Sequence, residues 1–380
     1  MPTALLVAHH YPPHVGGLEL VVERQAQSLA ENGYRVVVLT SRSGSAARAD
    51  EPRAGIELIR LSCAHFFEKR FFIPFPLFSP RLVPAAWKQL KRADVVHIHD
   101  VFYMSSWIVA ALAFIARKPF LLTQHVALVD HPSRFVMWVQ RLVYATVGRW
   151  IFAHARSIVA YNENVRAFLR SRRVPEERVL VLANGIDTAL FRPASANERR
   201  DIRGRCELPQ DRPLVLFVGR LVEKKGYQIL LDAKSAAFDL VFVGPGDVPA
   251  AGRVPGVHWL GALNQAQTAE IYRACDVFAF PAIGEIFTLA MQEAMASGLP
   301  VVTTDDPAYA GSIVSGQVVL AERRADAFRR AIQDLLADPG ALRAIGTRGR
   351  ELAARHFDWH ANFGRMLTIY SGTRMRESVA

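Results

Sequence analysis

Short apolar runs alternate with longer, helix-like segments along the first half of the chain. Six of these runs are continuously apolar, which is typical of parallel strands that are buried on both faces. They lie at 3–9, 35–41, 95–100, 119–125, 157–161 and 179–185. A helical pattern at 18–32 separates the first two runs, and Asn32-Gly33 marks its end. The pattern predicts an α/β unit with a mostly parallel sheet.

The same alternation starts again in the second half, after a polar and proline-marked stretch at 192–212. Five further runs are predicted to be strands, at 213–221, 238–246, 257–262, 276–282 and 300–304. The stretch 192–212 is therefore expected to connect two α/β domains. We expect an N-terminal domain at 1–190, a C-terminal domain at 191–355 and a final helical segment at 356–380 that crosses back to the first domain.

Ligands of parallel sheets bind beyond the carboxyl ends of the strands, so the residues that follow each predicted strand are candidate site residues. Those that follow the strands and carry useful chemistry are Gly16-Gly17, His125, Gly185, Gly219-Arg220, Gly244-Pro245-Gly246 and Glu285. If the two sheets face each other, these residues line one cleft.

Composition fits a two-domain protein with an anionic partner. The chain has 380 residues, 51% hydrophobic, with a net charge of +11 and three scattered cysteines. Residues 1–185 hold 23 Lys and Arg against 13 Asp and Glu, whereas residues 186–380 hold 23 against 22. A basic half favours nucleic acid, an anionic membrane or an acidic ligand. Three cysteines and the short apolar run at 105–116 indicate a cytoplasmic protein that does not span a membrane.

Two segments have the chemistry of phosphate binding. Gly16-Gly17 precedes a predicted helix, where backbone N–H groups and the helix dipole favour an anion, although a tight turn explains the glycines equally well. In "FVGRLVEKKG", Gly219 ends a strand and Arg220 and Lys225 follow it. Two cations at that position suit a diphosphate, whereas Lys224 fits a solvated loop.

The stretch "GEIFTLAMQEAMASGLPVV" at 284–302 is the strongest signal. Thr288 is predicted to cap a helix that runs to about Ser297, and Gly298 suits its C-terminal end. Glu285 then precedes the helix and Glu293 lies about two turns inside it. The two carboxylates could accept hydrogen bonds from two sets of hydroxyl groups, with a phosphate at the helix start between them.

The chain resembles the retaining glycosyltransferases of family four, which have the GT-B fold. The resemblance rests on E-x7-E at 285–293, the Gly16-Gly17 loop, "NGIDTALFRP" at 184–193 and "VGRLVEKKG" at 218–226, and it extends over nearly the whole chain. It implies two Rossmann-like domains with mostly parallel sheets facing across a cleft.

The resemblance also implies the reaction and its residues. A hexose-type sugar would pass from a UDP- or GDP-sugar to an acceptor with retention of configuration, without an essential metal or other cofactor. Arg220 and Lys225 would bind the diphosphate, Glu293 the ribose, and Glu285 and His125 the donor sugar. The further donor-binding residues implied are Gly16, Gly17, Gly219, Ile286, Phe287, Thr288 and Leu289.

The sequence departs from the family pattern at three places. Ile286 and Thr288 stand where glycines are usual, and Asp305-Asp306 stands where a glycine pair is common. These departures leave a catalytically silent membrane-associated scaffold open. A non-hydrolysing sugar-nucleotide epimerase, also of GT-B form, is the other alternative, although the glycine loop and E-x7-E together speak against it.

The basic first half suggests the acceptor. Segments 65–92 and 134–150 interleave aromatic residues with cations, as interfacial membrane segments do. For 134–150, a core helix with arginines reaching the solvent explains the pattern as well. No nucleic-acid motif is present. We therefore expect a lipid-linked glycan or glycolipid acceptor in polysaccharide synthesis at the cell envelope, and contact between the N-terminal domain and an anionic membrane.

His97 and His99 in "VVHIHD" have the spacing that places two strand side chains on one face. A metal site would need further ligands, and no cluster of them is evident in the sequence. Buried polar side chains are the interpretation that we favour.

Overall fold

The computed structural model describes residues 1–14, 17–42, 54–64, 66, 75–128, 133–183, 185–248, 254–283, 288–305 and 316–374. The chain divides into two compact units. The first contains Met1–Ala183 together with Phe363–Ala380, and the second contains Asn184–Asn362. Each unit is described by itself.

Among the described residues of the first unit, seven strands form one sheet in which all neighbours are parallel. In chain order they are β1 (Thr3–Val7), β2 (Arg35–Ser41), β3 (Ile56–Leu61), β6 (Val95–His99), β7 (Phe120–Gln124), β8 (Ser157–Ala160) and β9 (Val179–Val181). The order across the sheet is β3-β2-β1-β6-β7-β8-β9. The remaining strands, β4 (Cys63–Ala64) and β5 (Leu77–Phe78), form a short antiparallel pair.

The helices of the first unit alternate with these strands, as the sequence pattern predicted. They are α1 (Gly17–Glu31), α2 (Leu82–Leu90), α3 (Met104–Ile115), α4 (Arg134–Ala145), α5 (Val147–His154) and α6 (Glu163–Ser171). A short 3₁₀ turn, Glu176–Arg178, precedes β9. Residues from Phe363 on, in the last helix α13 (Trp359–Arg374), belong to this unit as well.

In the second unit, the described segments contain a parallel sheet of six strands in the order β12-β11-β10-β13-β14-β15. These strands are β10 (Leu214–Val218), β11 (Asp239–Val243), β12 (Val257–Gly261), β13 (Val277–Phe280), β14 (Val301–Thr304) and β15 (Val319–Ala321). The helices are α7 (Ala196–Arg205), α8 (Tyr227–Ala233), α9 (Gln265–Ala274), α10 (Leu289–Ala296), α11 (Ala325–Ala337) and α12 (Pro339–His356).

Burial explains why the predicted strands form. The central strands of both sheets, such as β1 and β10, are buried along almost their whole length. Since helices cover both faces of a parallel sheet, every side chain of such a strand leaves water, and each large aliphatic one contributes about 1.5–3 kcal/mol. All eleven strands predicted from continuous apolar runs are confirmed, with ends shifted by a few residues.

Two predictions about the chain's organisation need correction. The sequence pattern missed β3 and β15, which are edge strands with partly exposed or charged residues rather than continuous apolar runs. The expected connection at 192–212 is instead folded into the second unit, because it contains α7. There the buried Arg203 binds Asp276 at 2.7 Å and the carbonyl oxygen of Ala274 at 2.8 Å.

Each sheet has one switch point, a pair of neighbouring strands from which the chain order runs outward in opposite directions. In the first unit, this point lies between β1 and β6, and in the second it lies between β10 and β13. Loops on either side of such a point leave the sheet in opposite directions, which opens a crevice beyond the carboxyl ends of the strands. A site is therefore expected at the loops after β1, β6, β10 and β13.

Within the described ranges, no helix combines the length and the apolar character that crossing a bilayer requires.

Candidate active site

The loop after β10 leaves the sheet at its switch point in a close contact with the loop after β11. The amide of Gly219 donates to the carbonyl oxygen of Val243 at 2.9 Å, and that of Leu221 donates to Pro245 at 3.0 Å. A Cβ on Gly244 would lie 2.0 Å from the carbonyl oxygen of Gly219, so only glycine fits there. This contact fixes the start of the segment that carries Arg220, whose side chain is exposed.

Lys225 ends a 3₁₀ turn, Glu223–Lys225, in the same loop. Gly226 follows it with φ +75°, and a Cβ there would lie 2.3 Å from the carbonyl oxygen of Pro281. The ammonium group of Lys225 lies 5.3 Å from the ring centre of Phe280, the last residue of β13. The lysine is therefore held across the switch point, at the carboxyl end of the neighbouring strand.

Arg323 ties the two loops together. Its Nε donates to the carbonyl oxygen of Pro281 at 3.0 Å, and its Nη2 donates to that of Glu223 at 3.0 Å. The amide of Ile283 also donates to the carbonyl oxygen of Lys224, at 3.3 Å. These bonds fix the backbone on both sides of Lys225. This role of Arg323 was not predicted from the sequence.

The helix that was predicted after residue 288 is confirmed as α10. The Thr288 hydroxyl caps it by accepting from the amide of Met291 at 3.4 Å, and Ser297 and Gly298, at φ +76°, end it. Leu289 is its first residue. The cap follows from the side-chain oxygen of threonine, which satisfies one of the N–H groups left over at a helix start.

Glu293 lies inside α10 and is only 9% exposed. The Tyr272 hydroxyl, from α9, lies 3.2 Å from the Glu293 Oε2 and 2.9 Å from the carbonyl oxygen of Ala290. Burial raises the pKa of Tyr272 well above its ordinary value, so the hydroxyl keeps its single proton and shares it between these two acceptors. Tyr272 thus orients Glu293, a role that the sequence did not reveal because no local pattern links 272 with 293.

Several predicted site residues fall outside the described part of the chain. These are Gly16, Glu285, Ile286 and Phe287, together with Asp306 from the departures noted above. Gly17 is described as the first residue of α1, and a Cβ there would meet no atom within 4 Å. Gly185 is required for packing in the second unit, because a Cβ would lie 2.5 Å from the Cα of Trp359.

His125 follows β7 in the first unit and belongs to a buried histidine cluster. Its Nε2 lies 3.1 Å from the Nδ1 of His99, and its ring meets that of Tyr161 edge-on at 4.7 Å. Burial lowers the pKa of His125 well below its ordinary value and that of His99 to about 3. Both rings are therefore neutral near pH 7, and each can donate one hydrogen bond and accept another.

His97 is the third member of this cluster and has a structural role. Its Nε2 pairs with the Thr123 hydroxyl at 2.7 Å, and its Nδ1 pairs with the Tyr370 hydroxyl at 2.6 Å. Gln25 donates to both Nδ1 and the Tyr370 hydroxyl. This network attaches α13 to the sheet of the first unit, which agrees with the interpretation of His97 as a buried polar residue.

Asp100 is a candidate that the sequence analysis missed, because the residue was counted as the end of a strand. It directly follows β6 at the switch point, is 2% exposed and has φ +64°. Gln124 Nε2 and the Phe102 amide donate to its Oδ1 at 3.1 and 3.2 Å. Burial nevertheless raises the pKa of Asp100 to about 6, so the carboxyl group titrates near neutral pH.

In the part of the chain that the structure describes, no group of three or more His, Cys, Asp or Glu side chains has the arrangement of a metal site.

Comparison with known proteins agrees with this arrangement. The family model "Glycosyltransferase Family 4" matches residues 15–190, and "Glycosyl transferases group 1" matches residues 198–352. An uncharacterized glycosyltransferase of Methanocaldococcus jannaschii is 26% identical and covers 79% of each chain. Glycogen synthase of Mycobacterium tuberculosis is 28% identical over 98% of this chain and 95% of its own.

The fold is shared with solved glycosyltransferase structures. Anabaena HepE in complex with UDP-glucose superimposes with a TM-score of 0.74 at 19% identity and covers 100% of both chains. Sequence models, relatives and fold agree with the resemblance found in the motifs. The chain belongs to glycosyltransferase family four, and it is a retaining glycosyltransferase with the GT-B fold that uses a nucleotide sugar.

Proposed function

We propose that this enzyme transfers a hexose from a UDP- or GDP-sugar to a lipid-linked glycan or glycolipid during polysaccharide synthesis at the cell envelope. The observation that carries the donor half of the proposal is the arrangement at the β10–β13 switch point. There, Arg220 and Lys225 leave the carboxyl end of the sheet in one loop, whose backbone Arg323 holds in place.

Arg220 and Lys225 bind the donor diphosphate and stabilise the negative charge that grows on it as the sugar leaves. The exposed guanidinium of Arg220 can grip two phosphate oxygens, and Lys225 adds a point charge from a fixed backbone. Because the loop is held before the donor arrives, little reorganisation is needed in the transition state, and this is the condition for large electrostatic catalysis.

Glu293 binds the ribose hydroxyl groups. Its carboxylate is nine-tenths buried and held by the Tyr272 hydroxyl, so it can accept from a ribose without first losing much freedom. Glu285, together with Gly16, Gly17, Gly219 and the residues from Ile286 to Leu289, completes the donor site in this proposal.

His125 contacts the donor sugar. Its Nε2 is engaged by His99, so Nδ1 is the atom left to meet a hydroxyl group of the sugar. The ring is neutral, which suits a hydrogen bond rather than an ion pair. The departing diphosphate itself accepts the proton of the acceptor hydroxyl on the same face of the sugar, which gives retention without a protein nucleophile.

A lipid-linked acceptor is supported by the charge of the first half of the chain. Residues 1–185 hold 23 Lys and Arg against 13 Asp and Glu, and aromatic residues are interleaved with the cations. The diphosphate of a lipid carrier and the headgroups around it are anionic, so this half would meet them favourably. Such a reaction takes place on the cytoplasmic side, where nucleotide sugars are made, with the enzyme peripheral to the membrane.

A donor and acceptor assay tests the proposal. UDP, GDP, ADP and their hexose derivatives are first compared by the rise in melting temperature that each causes. The stabilising sugar nucleotide, with a radiolabelled hexose, is then incubated with membrane lipids, and the anomeric configuration of the product is read by NMR. We expect a UDP- or GDP-sugar to stabilise the protein and the label to enter the organic phase with retained configuration.

Other results of the same assay identify the alternatives. Conversion of the sugar nucleotide to an epimer without any acceptor would establish the epimerase instead. The absence of any nucleotide effect on the melting temperature would leave a catalytically silent scaffold.

A further inference from the structure

Helix α4 leaves several of its large apolar side chains exposed. It buries two residues, Gln140 and Tyr144. The Tyr144 ring packs against Phe152 and Phe168, and its hydroxyl accepts from Gln124 Nε2 at 3.1 Å. Val136, Met137, Val139 and Val143 are only partly buried, so Tyr144 is the one apolar residue of α4 that is fully buried, whereas a surface helix usually buries its apolar stripe.

The apolar stripe of α4 faces away from the unit that carries it. Phe135 is 70% exposed, Trp138 58% and Leu142 46%. Spacings of three and four residues place these side chains on one side of a helix, and the rings of Phe135 and Trp138 are 6.2 Å apart. Large exposed apolar side chains that lie together indicate an interaction surface, whereas single ones do not.

The charge around this stripe has one sign. Arg134, Arg141 and Arg149 are exposed, and none of them takes part in an ion pair within the described residues. No Asp or Glu occurs anywhere between positions 131 and 162. Aromatic and aliphatic groups flanked by arginines, without acids, are the composition of helices that lie in the interface of an anionic bilayer.

We propose that the exposed face of α4 docks the first unit on an anionic lipid surface, with Phe135, Trp138 and Leu142 inserted and the arginines at the headgroups. This assigns the contact to 134–145, which the sequence pattern alone could not distinguish from a core helix. It does not need the segment 65–92, of which residues 65 and 67–74 lie outside the described part of the chain.

Charge favours a lipid surface over a second copy of this chain. A two-fold interface would bring the same patch against itself, so that the arginines would face arginines and no acid of 131–162 could pair with them. An anionic bilayer offers the opposite charge at the same depth as the aromatic rings. Vesicle binding measures this docking directly, and it requires neither a donor substrate nor catalytic turnover. The purpose of the docking rests on the proposed lipid-linked acceptor.

The experiment is co-sedimentation of the full chain with vesicles of phosphatidylcholine, with and without phosphatidylglycerol. We expect binding only to the phosphatidylglycerol vesicles, weakening as salt is raised. The double variant Phe135→Ser with Trp138→Ser is expected to bind at least about tenfold more weakly, since binding scales with inserted apolar area. The pair Arg134→Gln with Arg141→Gln should lose about tenfold as well.

Matched controls separate this surface from general stickiness. Leu320→Ser, at a 51% exposed position of β15, and Arg343→Gln, at an exposed position of α12, should both bind vesicles like the wild type. Wild-type protein that does not bind phosphatidylglycerol vesicles, or an apolar double variant that binds like the wild type, would overturn the proposal. The proposal would also be overturned if the wild type formed a dimer but did not bind vesicles, and the apolar double variant were a monomer.

Nucleotide binding by each variant, measured by calorimetry, keeps the two proposals separate. Docking variants that bind the nucleoside diphosphate like the wild type but lose the vesicles support the docking surface. Vesicle binding by a protein that binds no nucleotide would leave the docking surface standing and would refute the proposed transfer.

Discussion

At the scale of single residues, the proposed donor chemistry depends on two cations, one exposed and one half-buried. Arg220 is exposed, and its backbone is held by the bonds of Gly219 to Val243 and of Leu221 to Pro245. Lys225 is half-buried against Phe280, on a turn that Arg323 holds. Both can act on a diphosphate, but neither supports the core, so their removal should leave the fold intact.

Arg220→Ala and Lys225→Ala should each lower kcat by about a hundredfold or more, because each removes a charge that stabilises the leaving diphosphate. Steady-state rates of the purified variants give the result, with circular dichroism to check the fold. The control is Lys224→Ala. The backbone carbonyl of Lys224 accepts from the Ile283 amide, but its charge is not assigned to the donor. Near-normal turnover of either site variant would refute the roles given to Arg220 and Lys225.

Tyr272→Phe should weaken nucleoside diphosphate binding by up to about tenfold, because Glu293 loses the hydroxyl that positions it and a hydrogen bond contributes about 0.5–1.5 kcal/mol. The phenylalanine keeps the ring that packs against Phe191 and Phe278, so only the hydroxyl is lost. Calorimetry with UDP or GDP measures the change. Tyr227→Phe, at another buried tyrosine of the second unit, serves as the control and should bind normally. Equal affinities in both variants would mean that Tyr272 does not orient a ribose ligand.

At the scale of elements, the geometry of the site comes from how strand ends and loops approach each other. Gly226 is the clearest position, since it needs a left-handed backbone and also lies against the carbonyl oxygen of Pro281. Gly261 has a similar φ of +67°, but a Cβ there would meet no atom within 4 Å. Substitutions at Gly226 and Gly261 therefore distinguish the effect of backbone strain, which both would have, from the effect of displacing the loop, which only Gly226 would have.

Gly226→Ala should lower both the melting temperature and kcat, whereas Gly261→Ala should lower the melting temperature alone. Both variants carry the strain of alanine at positive φ, about 1 kcal/mol, but only the first must move Lys225 away from β13. Thermal unfolding and steady-state rates on the same preparations provide the comparison. If Gly226→Ala kept full activity, the position of the loop would not matter for the reaction.

Local signals explain which elements could be predicted. Thr288 and Gly298 mark both ends of α10 in the sequence itself, and the buried strands are visible as continuous apolar runs. β3 and β15 lack such runs, because β3 carries Glu57 and Arg60 among its apolar residues and β15 has only three residues. The charged, polar composition of 192–212 is that of a linker. The contact that anchors α7, between the buried Arg203 and Asp276, joins residues far apart in sequence and so leaves no local signal.

At the scale of the whole molecule, the fold of each unit brings together residues that are far apart in sequence. The pairs Tyr272–Glu293 and His99–His125 arise from the order of strands and helices, not from any motif. The motifs predicted the chemistry that the chain carries. The partners that orient this chemistry could be found only from the fold.

Acid should destabilise the protein through its buried histidines. Burial lowers the pKa of His9, His97, His99 and His125, so below about pH 6.5 the unfolded chain gains protons that these rings do not accept when folded. His99 alone, with a pKa of about 3, should cost about 2 kcal/mol of unfolding free energy between pH 7 and pH 5. Asp100, with its pKa raised to about 6, acts in the opposite direction, but it is one group against four.

Denaturant unfolding at a series of pH values between 7 and 5 measures this dependence. The slope should become shallower in His99→Asn and stay unchanged in His360→Asn, which replaces an exposed histidine of the second unit. A free energy of unfolding that is flat with pH in the wild type would show that these histidines are protonated in the folded state as readily as in the unfolded one.

A crystal structure of the protein with the nucleoside diphosphate that stabilises it most is the measurement that tests the central claim most directly. The phosphates are predicted to lie within hydrogen-bond distance of Arg220 and Lys225, and the ribose hydroxyls to meet the Glu293 carboxylate beside Tyr272. A nucleotide bound elsewhere, or phosphates that touch neither cation, would contradict the account.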